Sequence, residues 1–388
     1  MAANNSRPKL IYLDYAAATP VDSTVYAAMK PFFSKLFYNP SANYQVAKQV
    51  DASLNSARAD VAKILGSKPM EIVFTAGGTE ANNLAIYGVM SNLPDSNIIV
   101  SAIEHESVLV PAKRFNCKLA PVNQDGLIDI NDLSNLIDDQ TSLISIMYAN
   151  NEIGTIQPLQ VISRLVVAVR RKRKIEGSKV PLYLHSDACQ AGNYLDLHVV
   201  NLGVDLMTLN GGKVYGPKQS GALYLSRHAP VSPQILGGGQ EFGYRSGTEN
   251  VAGAVGFSMA LALAQANSKK NNYDMSCLQN IFISQIRQLL PDAIINGSLT
   301  HRLPNNVHLT LPGQDNERLL FQLEEQNVLA ASGSACSASK KSPSHVLIAL
   351  GYSDDYARAS LRFSMGRQTT VSDIRRTTKI LKSLIDTN

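Results

Sequence analysis

The chain has 388 residues, 45% of them hydrophobic and 17% charged, which allows two domains with sizeable cores and excludes a disordered or fibrous protein. Its net charge of +5 is spread thinly, unlike the dense basic face of a dedicated nucleic-acid binder, so direct nucleic-acid binding is not expected. Four cysteines, Cys117, Cys189, Cys277 and Cys336, form neither a CxxC pair nor a disulfide framework, and reduced thiols are expected.

Residues 1–9 lack the apolar stretch of a signal peptide, and no apolar run reaches the length of a membrane span. A cytoplasmic protein without a membrane partner is therefore expected. Residues 10–13 read as the first strand. From about residue 70 to 226, short β-rich runs alternate with helical stretches: 71–74, Asn97–Ser101, 142–148, 181–185, 204–209 and Gly221–Leu225. That rhythm predicts an α/β fold, a mostly parallel sheet covered by helices.

The run 71–74 leads through Ala76-Gly-Gly-Thr-Glu80 into a helix. Glycines let backbone approach an anion, a helix start presents free N–H groups to it, and Thr79 adds a hydroxyl. Taken alone, this segment reads first as a plain strand-to-helix turn that uses glycine for its dihedral freedom. Nucleotide loops fail on their own terms: no G-x-G-x-x-G is present, and 211–218 departs from a P-loop where Pro217 replaces its lysine. The basic run Arg170-Arg-Lys-Arg-Lys174 closes a predicted helix and reads as a solvated end whose cations suit the helix dipole. A docking patch for RNA or an acidic acceptor is the sharper alternative.

The run 181–185 leads into Ser186-Asp187, which puts Asp187 at the carboxyl end of a parallel strand, where α/β sheets place their sites. Lys213 follows the next strand in Asn210-Gly-Gly-Lys213. A carboxylate and a lysine at successive strand ends, with an anion cradle upstream, are the parts of a pyridoxal 5'-phosphate site. Asp187 would keep the pyridine nitrogen protonated and Lys213 would hold the aldehyde. Singly, Asp187 reads as a helix cap and Lys213 as a surface amine; together with Gly77, Gly78 and Thr79 they favour the cofactor.

After about residue 255 the pattern changes to long helices, 258–266 and 275–290, and then a strand, 306–311. We expect a large domain over 15–255 and a small α+β domain over 256–388 joined by residues 1–14. Cys336 lies in a stretch of small polar residues from Ala331 to Pro343 with almost nothing to bury, and Lys340 and Lys341 nearby favour its thiolate. Thr370 and Asp373 have the spacing of a helix-capping box.

Ten segments carry a family resemblance: Tyr12-Leu-Asp-Tyr-Ala-Ala-Ala-Thr-Pro20, Ala76-Gly-Gly-Thr-Glu80, Glu104-His105, Asn150-Asn-Glu-Ile-Gly154, Asp187-Ala-Cys-Gln190, Lys213-Val-Tyr-Gly-Pro-Lys218, Gly237-Gly-Gly-Gln-Glu241, Arg245-Ser-Gly-Thr248, Ser332-Gly-Ser-Ala-Cys336 and Arg362-Phe-Ser-Met-Gly-Arg367. On these the chain resembles class V aminotransferase-fold enzymes, specifically cysteine desulfurases with a long catalytic loop. The resemblance implies fold type I of the pyridoxal-phosphate transferases, with a mostly parallel seven-stranded sheet in the large domain and a small α+β C-terminal domain. It also implies a homodimer with shared active sites.

The implied reaction converts L-cysteine to L-alanine and leaves the sulfur on Cys336 as a persulfide. A sulfur-acceptor protein, an iron–sulfur scaffold or a tRNA-thiolation enzyme, would take it on. By the same resemblance Lys213 removes the substrate Cα proton, His105 stacks on the cofactor ring and relays protons, and Gln190 bonds the ring hydroxyl. Asn151 holds substrate and cofactor oxygens, Gly78, Thr79 and Asn210 face the phosphate, Arg362 clamps the substrate carboxylate, and Thr248 reaches the phosphate of the neighbouring subunit. Cys117, Cys189 and Cys277 are left structural.

Many relatives carry Ser-Gly-His-Lys where this chain has Asn210-Gly-Gly-Lys213, which predicts weaker cofactor retention. Selenocysteine lyase, amino-group transfer and a cofactor-poor interaction subunit are the rival readings. Cys336 argues against transamination, and the joint presence of Lys213, Asp187, His105, Arg362 and Cys336 argues against a lost activity.

Overall fold

A computed structural model describes residues 9–333 and 343–387. Strand β1 (Ile11–Tyr12) precedes a run of seven strands: β2 (Ile72–Thr75), β3 (Asn97–Ser101), β4 (Asn116–Ala120), β5 (Thr141–Ser145), β6 (Tyr183–Asp187), β7 (Leu206–Asn210) and β8 (Gly221–Leu225). These seven form one sheet in the order β2-β8-β7-β6-β5-β3-β4. Only β8 runs against its neighbours, so the sheet is mostly parallel, as the alternating pattern predicts. β3 and β5 are buried along their whole length, which their continuous apolar runs require, because helices cover both faces of the sheet.

The remaining strands are β9 (Ile294–Ile295), β10 (Asn306–Thr310), β11 (Val328–Leu329) and β12 (Ser360–Ser364). β12, β10 and β9 make an antiparallel sheet, and β1 pairs in parallel with β11. The N-terminal strand thus joins the C-terminal layer: Ile11 and Leu13 share a core with Met275, Phe282, Val307 and Phe363. Thr370 and Asp373 cap the final helix Val371–Asp386 reciprocally, at 3.2 and 2.9 Å.

The expected boundary at 255/256 lies within the helix Val251–Ala266, whose Val251, Ala254, Phe257 and Leu261 belong to the core of the large sheet. The next helix, Ser268–Leu289, turns its Met275, Leu278, Phe282 and Ile286 to the other core. The basic run is also not uniformly solvated. Arg173 is buried and donates to the carbonyls of Asp138, Thr141, Val180 and Pro181, and Arg170 pairs with Asp205 and the Leu182 carbonyl. No single helix among the described residues is long and apolar enough to cross a membrane.

Candidate active site

Five strands that point the same way, β2, β3, β5, β6 and β7, deliver their carboxyl ends to one cavity. Gly78, Thr79, His105, Asn151, Asp187, Gln190, Asn210 and Lys213 line it, and Arg362 closes it from β12. This is the crevice that a parallel sheet leaves open at its strand ends. The structure therefore brings these nine candidate residues together, but not Thr248. That residue lies exposed in a separate cavity with Glu241, Arg245 and Asn250. Cys336, with Lys340 and Lys341, lies outside the described residues.

The cradle after β2 depends on glycine at two positions. Gly77 has φ +123, a backbone state open in practice to glycine alone. A Cβ on Gly78, the first residue of the helix Gly78–Met90, would stand 2.6 Å from the Cys189 sulfur. That helix starts at the cavity with its N–H groups and positive dipole end. Asn210 turns Oδ1 back to accept the Gly212 N–H at 2.9 Å, which leaves its amide donor facing the Gly77–Gly78 side.

Asp187 ends β6 and is 7% exposed. Its Oδ1 accepts the Cys189 N–H at 2.9 Å and its Oδ2 accepts Asn82 Nδ2 at 2.7 Å. Asn82 Nδ2 also donates to Ser107 Oγ at 2.8 Å, and Ser107 Oγ lies 2.7 Å from His105 Nδ1. The same ring nitrogen accepts the Ser107 backbone N–H at 3.1 Å, because His105 caps the helix Glu106–Ala112. Nδ1 is thus an acceptor, and the neutral ring carries its proton on Nε2. Burial pulls the His105 pKa down, Asp187 opposes that and Lys213 adds to it.

Lys213 Nζ donates to the carbonyls of Ala16 and Ala17 at 2.8 and 2.6 Å, and Gln190 Nε2 donates to Ala16 at 3.0 Å. Arg362, 2% exposed, donates to Asp14 Oδ1 at 2.6 Å and to the Asn151 carbonyl at 3.0 Å. Its Nε has no partner among the described residues. Cys189 also lines the cavity, and burial, reinforced by Asp187, pushes its thiol pKa well up.

Asn82, Ser107 and Asp14 were not singled out from the sequence. Asn82 carried a signal: it lies four residues after Gly78 on the same helix, hence on the same face. Asp14 lies within the Tyr12–Pro20 motif without having been given a role, and Ser107 had no signal beyond adjacency to Glu104-His105.

Among the described residues no three His, Cys, Asp or Glu side chains cluster as a metal site. The donor set instead suits a phosphorylated pyridine aldehyde. It offers a helix N-terminus for the phosphate, an amine within the cavity for the aldehyde, and a buried carboxylate, itself held by two donors, for a protonated ring nitrogen.

A family model described as class V aminotransferase matches residues 11–377. The cysteine desulfurase IscS of Dictyoglomus turgidum is 39% identical over 383 residues, 97% of this chain and 94% of that one. A cysteine desulfurase of Homo sapiens is 37% identical over 94% of this chain and 79% of its own. Among solved structures, a NifS-like protein superposes with a TM-score of 0.89 at 29% identity, covering 98% of this chain and 100% of that one. SspA in complex with cysteine superposes at 0.77 with 33% identity, over 92% and 98%.

Proposed function

The chain belongs to the class V aminotransferase family, and we propose that its residues carry out cysteine desulfuration as follows. The observation that carries the reading is the convergence of Lys213, Asp187, His105 and Arg362 on one cavity behind the Gly77–Gly78 cradle. Gly78, Thr79 and Asn210 would hold the phosphate of pyridoxal 5'-phosphate, Lys213 its aldehyde, Asp187 its ring nitrogen and Gln190 its ring hydroxyl. When bound, that group supplies an electron sink at the substrate Cα.

Arg362 and Asn151 orient L-cysteine, the guanidinium facing its carboxylate. Lys213 Nζ takes the proton from the substrate Cα, and His105 serves as a proton relay through Nε2. The Cys336 thiolate attacks the substrate sulfur. A new S–S bond forms, the Cβ–S bond breaks, its electron pair stays with Cβ, and a proton completes L-alanine. The substrate sulfur remains on Cys336 as a persulfide for an acceptor protein serving iron–sulfur assembly or tRNA thiolation. Exposure of Thr248, away from this chain's cavity, supports a homodimer in which it completes the partner's site. A cytoplasmic setting would keep these thiols reduced.

Alanine and sulfide release from L-cysteine, with added cofactor and reductant, tests the reading in wild type and Cys336→Ala. Turnover that depends on Cys336 supports it. A visible cofactor absorbance without turnover would redirect the search to another substrate or an activator, and no bound cofactor would favour an interaction subunit.

A further inference from the structure

The motif Asn150-Asn-Glu-Ile-Gly154 supplies Asn151 to the cavity, but the next side chain, Glu152, has no part in the chemistry above. It is 1% exposed. Its N–H donates to Asn150 Oδ1 at 2.8 Å and its carbonyl accepts Asn306 Nδ2 at 2.8 Å, so its backbone is fixed between β5 and β10. Its carboxyl group touches two places far apart in sequence. Oε2 accepts the Ser344 hydroxyl at 2.6 Å, and the Gly333 backbone is so near that a Cβ there would stand 3.0 Å from the same oxygen.

Gly333 and Ser344 flank residues 334–342, which contain Cys336. Other ties hold the same flanks to the site: Ala331 and Arg362 exchange backbone hydrogen bonds at 3.1 and 2.6 Å, and His345 Nε2 meets the Glu104 carbonyl at 2.9 Å. Ser344 also caps the helix His345–Ala349. The Glu152 carboxylate is thus bonded to one flank and set close against the other. We infer that Glu152 is a positioning residue for sulfur transfer, a clasp that sets the two roots from which Cys336 reaches the substrate.

The inference rests on the desulfurase reading. Chain length gives it a magnitude. Cys336 is three residues from Gly333 (336 − 333) and five from Ala331 (336 − 331). Without the clasp, the nearest backbone tie on that side among the described residues is the one between Ala331 and Arg362. The effective concentration of the thiol at the substrate then falls about two- to fivefold, between the −3/2 and −3 powers of the tether length.

The test uses the holoenzyme of wild type, Glu152→Ala and Glu152→Gln. It reads the single-turnover rate of persulfide formation, the dissociation constant of L-cysteine from the change in cofactor absorbance, and the rate of tryptic cutting after Lys340 or Lys341. Expected for Glu152→Ala are a persulfide rate about two- to fivefold lower, an unchanged L-cysteine constant and faster cutting. Glutamine, which keeps an oxygen for the Ser344 hydroxyl, should restore all three towards wild type. Ser344→Ala should also speed cutting, with no further gain when combined with Glu152→Ala. Unchanged persulfide and cutting rates in Glu152→Ala overturn the inference, as does a loss shared by substrate binding and not rescued by glutamine. If wild type forms no persulfide, the desulfurase reading fails instead, and the cutting rates alone decide whether Glu152 clasps the two flanks.

Discussion

The proton and charge arrangement of the site runs through a residue that makes no motif. Asn82 spends both hydrogens of its amide on bridging Asp187 Oδ2 and Ser107 Oγ, and Ser107 passes the connection to His105. Asn82→Leu, similar in volume, removes both donors and leaves a buried carboxylate with one partner fewer. Loss of a hydrogen bond to a charged group costs roughly 1.5–3 kcal/mol, so the cofactor dissociation constant should rise about 10- to 100-fold. Equilibrium dialysis against pyridoxal phosphate measures it, and an unchanged constant would show that Asp187 needs no such support. Gly212 offers the reverse experiment. A Cβ there meets nothing closer than Asn210 Oδ1 at 3.4 Å, ordinary contact, so Gly212→His has room to begin a side chain. The added donor should tighten the same constant about tenfold, and equal constants in the two proteins would refute the idea that this position weakens retention. Asp187, Lys213 and Arg362, which line one cavity, were legible as candidates because few side chains offer their charge. The amide and hydroxyl that link Asp187 to His105 were not, since such groups occur throughout any sequence.

Elements were legible in type and less so in extent. The run 181–185 was read two residues early: Pro181 cannot donate to a ladder, and the strand begins at Tyr183, which places Asp187 inside it as the last residue. β12 went unassigned because Arg362 and Ser364 read as a site motif, yet all five of its residues are buried. The junction of β2 with the helix Gly78–Met90 read, taken alone, as a plain turn, and packing adds what the sequence lacked. At Gly78 the obstacle to any side chain is the Cys189 sulfur, 2.6 Å from the position of a Cβ. Gly78→Ala should therefore push the helix start away from β6 and weaken cofactor binding by at least about tenfold, the cost of one disturbed anion contact. Gly78→Ala with Cys189→Ala removes the colliding sulfur and should recover most of it. Failure of the double variant to recover would mean that the cradle needs glycine for closeness to the ligand and not for closeness to Cys189.

At the scale of the whole molecule, two cores meet at the cavity, and each buries a histidine that its surroundings keep neutral. His185 on β6 is held by Ser145 and Thr208, and burial pulls its pKa down to about 4. His308 on β10 accepts from Asn296, and burial, aided by Arg302 and Arg362, pulls its pKa down to about 3. Once unfolded, both histidines regain an ordinary value near 6.5. Between 6.5 and these lower values the unfolded chain binds protons that the fold cannot, so stability rises with pH across that window and is lost as pH falls through it. From pH 7.5 to 5.5 each histidine should remove about 1.4 kcal/mol, together about 3 kcal/mol. Urea unfolding at the two pH values measures the difference, and His308→Asn, which cannot take up a proton in either state, should show about half of it. A variant with the full wild-type difference would place the acid sensitivity elsewhere. The position of His308 gives the result a consequence for function, since it pairs across the strands with Arg362. The folded ring takes up a proton only near pH 3, so no second cation arises beside Arg362 between pH 7.5 and 5.5, and that range should cost stability while leaving the charge of the site unchanged.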